Sequence, residues 1–224
     1  MGIPLGAQSA DALYADRENI ASAKRAAELY EEASKRDQGQ FEAAWKLART
    51  CYWLGGHAPD AEQRAFLEKG ITAGQLASRL QASKPEGHFW TAANMGALAE
   101  RFGIRQGMKY RRPIREELET VLRLDPAFME GSADRALGRY YFKVPSMLGG
   151  SKSRAEQHLR TSLGYNQAST ISHYFLAELL VDQNRIPEAR AELQRVIDAP
   201  LSTEWAPEDR DYKQKAAALL PNVR

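Results

Sequence analysis

From Asp16 onward the apolar residues recur three and four positions apart, the period of helices that bury one face. The strand-like alternation of apolar and polar residues never persists along the chain. Ala, Leu, Glu, Arg and Gln dominate while Val, Ile and Thr are sparse, which favours helix again. Breakers punctuate the pattern at Gly55-Gly56, Lys84-Pro85, Gly103, Asp125-Pro126, Pro145, Gly149-Gly150, Asn184-Arg185 and Ala199-Pro200. Ordinary helix lengths joined by short loops fit between them. The chain reads as all-α.

The helices repeat. Leu47-Ala48, Ala92-Ala93, Leu137-Gly138 and Leu176-Ala177 share one register, spaced 45, 45 and then 39 residues apart. A small residue beside a large one lets a partner helix approach closely. A second series supplies the partners: Ala73-x3-Ala77-x2-Leu80, Ile114-x3-Leu118-x2-Val121, Ala155-x3-Leu159 and Ala189-x3-Leu193-x2-Val196, with Ala26-x3-Tyr30-x2-Ala33 as a leading fragment. This is the tetratricopeptide pattern in a degenerate, lengthened form. The expected fold is a tetratricopeptide-like helical-repeat superhelix of about four helix pairs plus leading and capping helices, one domain over residues 16–224. The cap starts at Pro207-Glu208-Asp209, with proline in the first turn and acids at the positive dipole end. Tyr212, Ala216, Leu219 and Leu220 give it one apolar stripe. Residues 1–15 read as an N-terminal tail, whose small, apolar, uncharged start fits either the remnant of an export signal or a frayed natural N-terminus.

Charge and cysteine usage narrow the function classes. Thirty-one Lys and Arg against 29 Asp and Glu give a formal charge of +2, too even for a chain that coats nucleic acid or an anionic membrane. A single cysteine, Cys51, excludes an intrachain disulfide and any multi-cysteine zinc site. No apolar run is long enough to span a bilayer.

Catalytic chemistry finds no constellation here. His57 and His88 follow glycines and read as solvated helix-end residues, and His158 and His173 as packing or surface residues. None has metal-ligand spacing. Cys51 reads as a buried, inert thiol. Gly149-Gly150-Ser151-Lys152-Ser153 lacks the glycine spacing of a phosphate-binding loop. There Ser151 reads as a helix N-cap, with Ser151 and Lys152 as a candidate anion site. The basic run Arg101, Arg105, Lys109, Arg111, Arg112 and Arg115 gives way to Glu116, Glu117 and Glu119 and reads as a solvated, locally paired face. The expectation is a protein without enzymatic activity, metal or cofactor.

Recognition is better supported by the register. In tetratricopeptide arrangements the first helix of each pair lines the concave face. Counted from the large–small pairs, one column reads Trp45, Trp90, Arg135, Tyr174, the next Arg49, Asn94, Arg139, Glu178, and a third Tyr52, Ala97, Phe142, Val181. Aromatic anchors bury area while arginine fixes polar groups, so these columns suit a protein-binding groove. The alternative for Trp45 and Trp90 is that they fill the space between adjacent pairs.

Ala44-Trp45-Lys46-Leu47-Ala48-Arg49, Leu137-Gly138-Arg139-Tyr140-Tyr141 with the loop from Pro145 through Leu148-Gly149-Gly150-Ser151, and Ala199-Pro200 with Glu204-Trp205-Ala206-Pro207-Glu208-Asp209 resemble the TatT-like T components of tripartite ATP-independent periplasmic (TRAP) transporters. The likeness covers about residues 17–221. Eukaryotic regulators of microtubule dynamics carry a related repeat. The transporter resemblance implies a periplasmic, often lipid-anchored accessory protein that associates with the substrate-binding P subunit and forms homo-oligomers such as trimers. This chain departs from it in having no lipobox cysteine. A generic scaffold binding a peptide or partner protein, with a cytoplasmic location, needs the same groove residues and no transporter.

Overall fold

The computed structural model describes residues 9–36 and 40–223. Eleven α-helices and no strand are present among the described residues: α1 (Ala10–Ala15), α2 (Ile20–Ser34), α3 (Gln40–His57), α4 (Asp60–Leu80), α5 (Pro85–Arg101), α6 (Ile104–Leu124), α7 (Ser132–Lys143), α8 (Lys152–Tyr165), α9 (Thr170–Asp182), α10 (Ile186–Asp198) and α11 (Ala206–Leu219). The helices α3/α4, α5/α6, α7/α8 and α9/α10 are the four pairs, α1 and α2 lead, and α11 caps. The fold is the all-α, tetratricopeptide-like helical repeat that the periodicity predicts. Contacts cluster into two compact units, divided within α6 between Glu117 and Leu118, where the sequence suggests one continuous domain.

The small-residue register marks the helix crossings. A Cβ built on Gly138 of α7 would lie 2.5 Å from Leu159 Cγ of α8, and one on Gly74 of α4 would lie 2.9 Å from the Thr91 nitrogen of α5. Leu47, Ala48, Ala77 and Ala92 are buried in the first unit, and Leu118, Leu137, Leu159, Leu176, Ala177 and Leu193 in the second. Leu80 departs from the register: at the last position of α4 it is 41 % exposed.

Three boundaries differ from the sequence reading. Gly55 and Gly56 do not end α3, which runs on to His57. Gly55 instead lets Leu67 of α4 sit where a side chain would stand, 2.2 Å from an added Cβ. The break between α8 and α9 carries neither Gly nor Pro. Asn166 makes that turn by accepting from the Ala168 amide at 2.8 Å, and Ser169 caps α9. Residues 10–15, which the sequence assigns to the tail, form α1, with Leu13 and Tyr14 buried. The stretch read as an export remnant lies, over residues 1–8, outside the described residues.

The cap is held by polar groups as well as by its stripe. Asp209 of α11 is buried and accepts from Thr170 Oγ1 at 2.6 Å and from the Ser202 amide at 2.7 Å. Ala216 is buried, and Tyr212, Leu219 and Leu220 are half-buried.

Candidate functional site

In the first unit the groove candidates on α3 and α5 surround one aromatic patch. Trp45 is half-buried against the cluster of Phe41, Ala44 and Ala77, and its Nε1 donates to Glu42 at 3.0 Å. The Arg49 guanidinium lies 4.0 Å from the Tyr14 ring centroid and 5.0 Å from that of Trp45, a cation held between two faces. Tyr52, 38 % exposed, meets Trp90 at 5.7 Å between ring centroids, and Phe89 meets Trp90 edge-on at 5.0 Å. Trp90 itself is buried, so it fills the space between helices and exposes little to a groove.

Asn94 needs correcting more sharply. It is fully buried, and its amide donates to the Ala48 carbonyl at 3.0 Å and the Trp90 carbonyl at 2.8 Å. It is a tie between α3 and α5, placed where Ala48 and Gly70 leave room, and not a groove residue.

Tyr14 belongs to this patch, although the sequence places it in the tail. Asp11 on the same short helix accepts from Tyr30 Oη at 2.7 Å and from Lys46 Nζ at 2.9 Å. The Tyr30 hydrogen bond leads in holding the Asp11 carboxyl below its ordinary range, and burial leads in raising the Tyr30 phenol. Trp53 Nε1 donates to the Arg17 carbonyl at 2.7 Å.

In the second unit Arg139 and Glu178 form an ion pair, with Lys143 Nζ 3.9 Å from the other Glu178 oxygen. The guanidinium expected to hold a partner's carboxylate holds one from its own chain. It also stands 4.6 Å from the Phe175 centroid. Phe175, Tyr174 and Tyr212 form a half-buried triad with centroids 5.3 to 6.5 Å apart. Burial raises the Tyr174 phenol, with the Glu178 charge adding to it. Phe142 is half-buried under Lys143 Nζ at 4.8 Å, and Arg135 is half-buried one turn before Arg139. Phe175 and Tyr212 lie outside the groove columns of the sequence register, which gives Tyr212 only to the cap stripe.

The candidate anion site is not assembled. Ser151 Oγ accepts from the Arg154 amide at 3.3 Å as the α8 N-cap, while Lys152 pairs with Asp182.

The histidines hold a regularity that the sequence reading does not bring out. His88 of α5 meets Glu117 of α6 at 2.5 Å, His158 of α8 meets Asp134 of α7 at 2.7 Å, and His173 of α9 meets Glu192 of α10 at 2.5 Å. Glu117, His158 and Glu192 each directly precede the packing leucine of the second helix, namely Leu118, Leu159 and Leu193. Three of the four pairs therefore carry a histidine–carboxylate link at one register position. In α3/α4 that position is Leu76, packed on Phe41, Ala44 and Ala77. His88, expected to be solvated, is largely buried, with its Nε2 donating to the Ala82 carbonyl at 3.0 Å. His57 stacks on Trp53, 3.7 Å between centroids. Burial pushes the Cys51 thiol up to about 12.

Several solved structures share the fold. A thermophilic tetratricopeptide protein from Thermus thermophilus superposes with a TM-score of 0.68 at 21% identity, covering 92% of this chain and 94% of that one. MamA superposes with a TM-score of 0.52 at 14% identity, covering 89% and 95%. No curated protein matches the sequence. The family described as regulator of microtubule dynamics protein 1-3 matches residues 7–157, well over half of the chain, and the chain belongs to that family.

Proposed function

We propose that this protein is a non-catalytic scaffold that binds a segment of a protein partner on the face of α3 and α5. The observation that carries the proposal is a set of buried donors without acceptors beside an exposed aromatic ring. Trp90 Nε1 and Arg49 Nε are both buried and unpaired, and Tyr52 stands over the Trp90 ring. A buried N–H without an acceptor is costly, and a partner's main-chain carbonyl would relieve it once the exposed Tyr52 ring moves aside. The non-catalytic part rests on what the reactive groups do: Cys51 is buried and hard to ionise, and His88, His158 and His173 link helix pairs.

The test is a photo-crosslinking residue placed at Tyr52, identification of the captured protein, and calorimetry with that partner purified. Trp90→Phe keeps an aromatic ring and removes the N–H, with some loss of packing at this buried site. Measured well below its lowered melting temperature, it should weaken binding by about 1 kcal/mol, roughly fivefold. Undiminished binding by Trp90→Phe refutes the site.

The partner class has two readings to separate. The family's name makes microtubules one, tested by co-sedimentation with polymerised tubulin. The likeness of the α3 and α7 motifs to T components makes a TRAP substrate-binding P subunit the other, tested by direct titration. That second reading carries a periplasmic location and a trimer with it, checked by cell fractionation and by mass in solution.

A further inference from the structure

The even net charge conceals a concentrated one. Between Arg101 and Arg115 stand six cations and no acid, in a chain whose formal charge is +2, so the remaining residues are net negative. The first three turns of α6 present part of this stretch to solvent, with Arg111 half-buried. Arg105, Lys109 and Arg112 are exposed. Among them stand two large apolar side chains one turn apart, Ile104 at 83 % and Met108 at 51 % exposure. The later turns anchor the helix through buried Ile114, Leu118 and Val121. The apolar pair has no wall beside it: a Cβ on Gly103 or Gly107 would meet nothing within 4 Å. The first acid along the helix is Glu116, 3.7 Å from Arg112.

We infer that the start of α6 is a docking face for a bilayer surface carrying anionic lipid, with Ile104 and Met108 as the inserting residues and Arg105, Lys109 and Arg112 on the headgroups. Apolar side chains standing proud among cations match an interface that is negative outside and apolar beneath. The long basic side chains lay their stems along the apolar boundary and keep their charges at the phosphates. An acidic protein segment suits the geometry less well. It would need a groove, and the adjacent one, about 390 Å³ between α4 and α6, is lined by Glu68 together with Ile71, Thr72, Gln75, Lys109 and Tyr110. Glu68 and Lys109 balance in that groove, which therefore offers no excess positive charge to an acidic segment, whereas a bilayer touches only what protrudes.

The experiment is co-sedimentation of the full chain with vesicles of phosphatidylcholine alone and of phosphatidylcholine mixed with phosphatidylglycerol. Each basic residue at an anionic surface contributes about fivefold, so three exposed cations give a preference on the order of a hundredfold for the mixed vesicles, falling as salt rises. The double variant R105E/K109E should lose at least about thirtyfold of that binding. I104S/M108S should lose binding while keeping every charge. R36E/R79E, which changes net charge equally at exposed sites elsewhere, should bind as wild type. Helical circular dichroism must be unchanged in each variant, which the exposure of the substituted side chains leads one to expect. Equal binding to both vesicle types, no binding to either, or equal loss in R36E/R79E overturns the inference. So does full binding by I104S/M108S, which would mark the patch as a site for soluble polyanions.

Discussion

Gly74→Ala and Gly96→Ala place the same methyl group in two neighbouring helices, and the structure predicts opposite signs. Replacing a mid-helix glycine by alanine restricts the unfolded chain and stabilises by roughly 0.5–1 kcal/mol when the new Cβ has space. At Gly96 in α5 nothing lies within 4 Å of that Cβ, so the full gain of about 0.5–1 kcal/mol is expected. At Gly74 in α4 the Cβ would meet Thr91 Oγ1 at 2.4 Å, the Thr91 nitrogen at 2.9 Å and the Thr91 Cα at 3.1 Å. Two of these atoms are backbone and cannot rotate away, so α4 and α5 must separate. Separation is resisted along the whole crossing, because Gly70 faces Asn94 and Gly87 faces the Ser78 nitrogen across the same interface. Overpacking costs roughly 1–3 kcal/mol. Disturbing the Thr91 bond to the Gly87 carbonyl, 2.7 Å long, adds about 1 kcal/mol. Set against the helix gain, the net for Gly74→Ala is a loss of about 1–3 kcal/mol. In a chain of this size 1 kcal/mol moves the melting temperature by about 2–4 °C, so Gly74→Ala should melt roughly 2–12 °C below wild type. Gly96→Ala should melt about 1–4 °C above it. Thermal melts followed by circular dichroism decide the matter. A melting temperature raised equally by both substitutions would refute the close crossing of α4 and α5.

Glu192 sets an acid limit. Burial alone would raise its carboxyl, but the His173 bond and the Arg195 charge bring it below the ordinary 4.5. A depressed folded value contributes stability that is complete above the unfolded value and is lost as pH falls through the folded one. Urea midpoints should therefore drop below about pH 4.5 in wild type and change less there in Glu192→Gln; equal acid slopes would contradict the pairing. At neutral pH Glu192→Gln keeps an oxygen that can accept from His173 and loses the charge of the acceptor, so it should cost about 1 kcal/mol, the scale of one weakened hydrogen bond. A double-mutant cycle on Arg139 and Glu178, both alanine, should give a coupling near 1 kcal/mol, since the pair is only partly screened and Lys143 stands by as a second cation; zero coupling would show the contact to be inert. Cys51, with its thiol raised to about 12, should resist a thiol reagent at neutral pH until denaturant is added, and rapid labelling of the native protein would contradict its burial.

Much of the fold was written locally. The recurrence of Leu47-Ala48, Leu137-Gly138 and Leu176-Ala177 and of their partners is a property of single helices, so it could be read along the chain. Breakers were less dependable because glycine serves two purposes: Gly103, with φ 84°, follows α5, whereas Gly55 lies inside α3 to admit Leu67. The histidine links were legible in principle, since Glu117, His158 and Glu192 share one register position, but acid and base alternate between helices and no residue type repeats.

The candidate site was only half legible, and the reason is geometric. Counting along the sequence aligned Trp45 with Trp90, yet across α3 and α5 it is Tyr52 that meets Trp90, and Asn94 turns inward to Ala48. Packed helices cross at an angle set by their ridges and grooves, so positions of equal register are not neighbours in space. By itself the sequence determined the all-α class, the repeat and most of the faces the helices bury, because these follow from a period that each segment carries alone; α1 and the turn between α8 and α9 did not show in it. The tertiary structure decided the rest: that Arg139 is matched by Glu178, that Tyr14 completes the patch around Arg49, and that Ile104 and Met108 are left exposed. Those outcomes depend on which side chains the crossing angles bring within a few ångströms, and no spacing along a single chain encodes that distance.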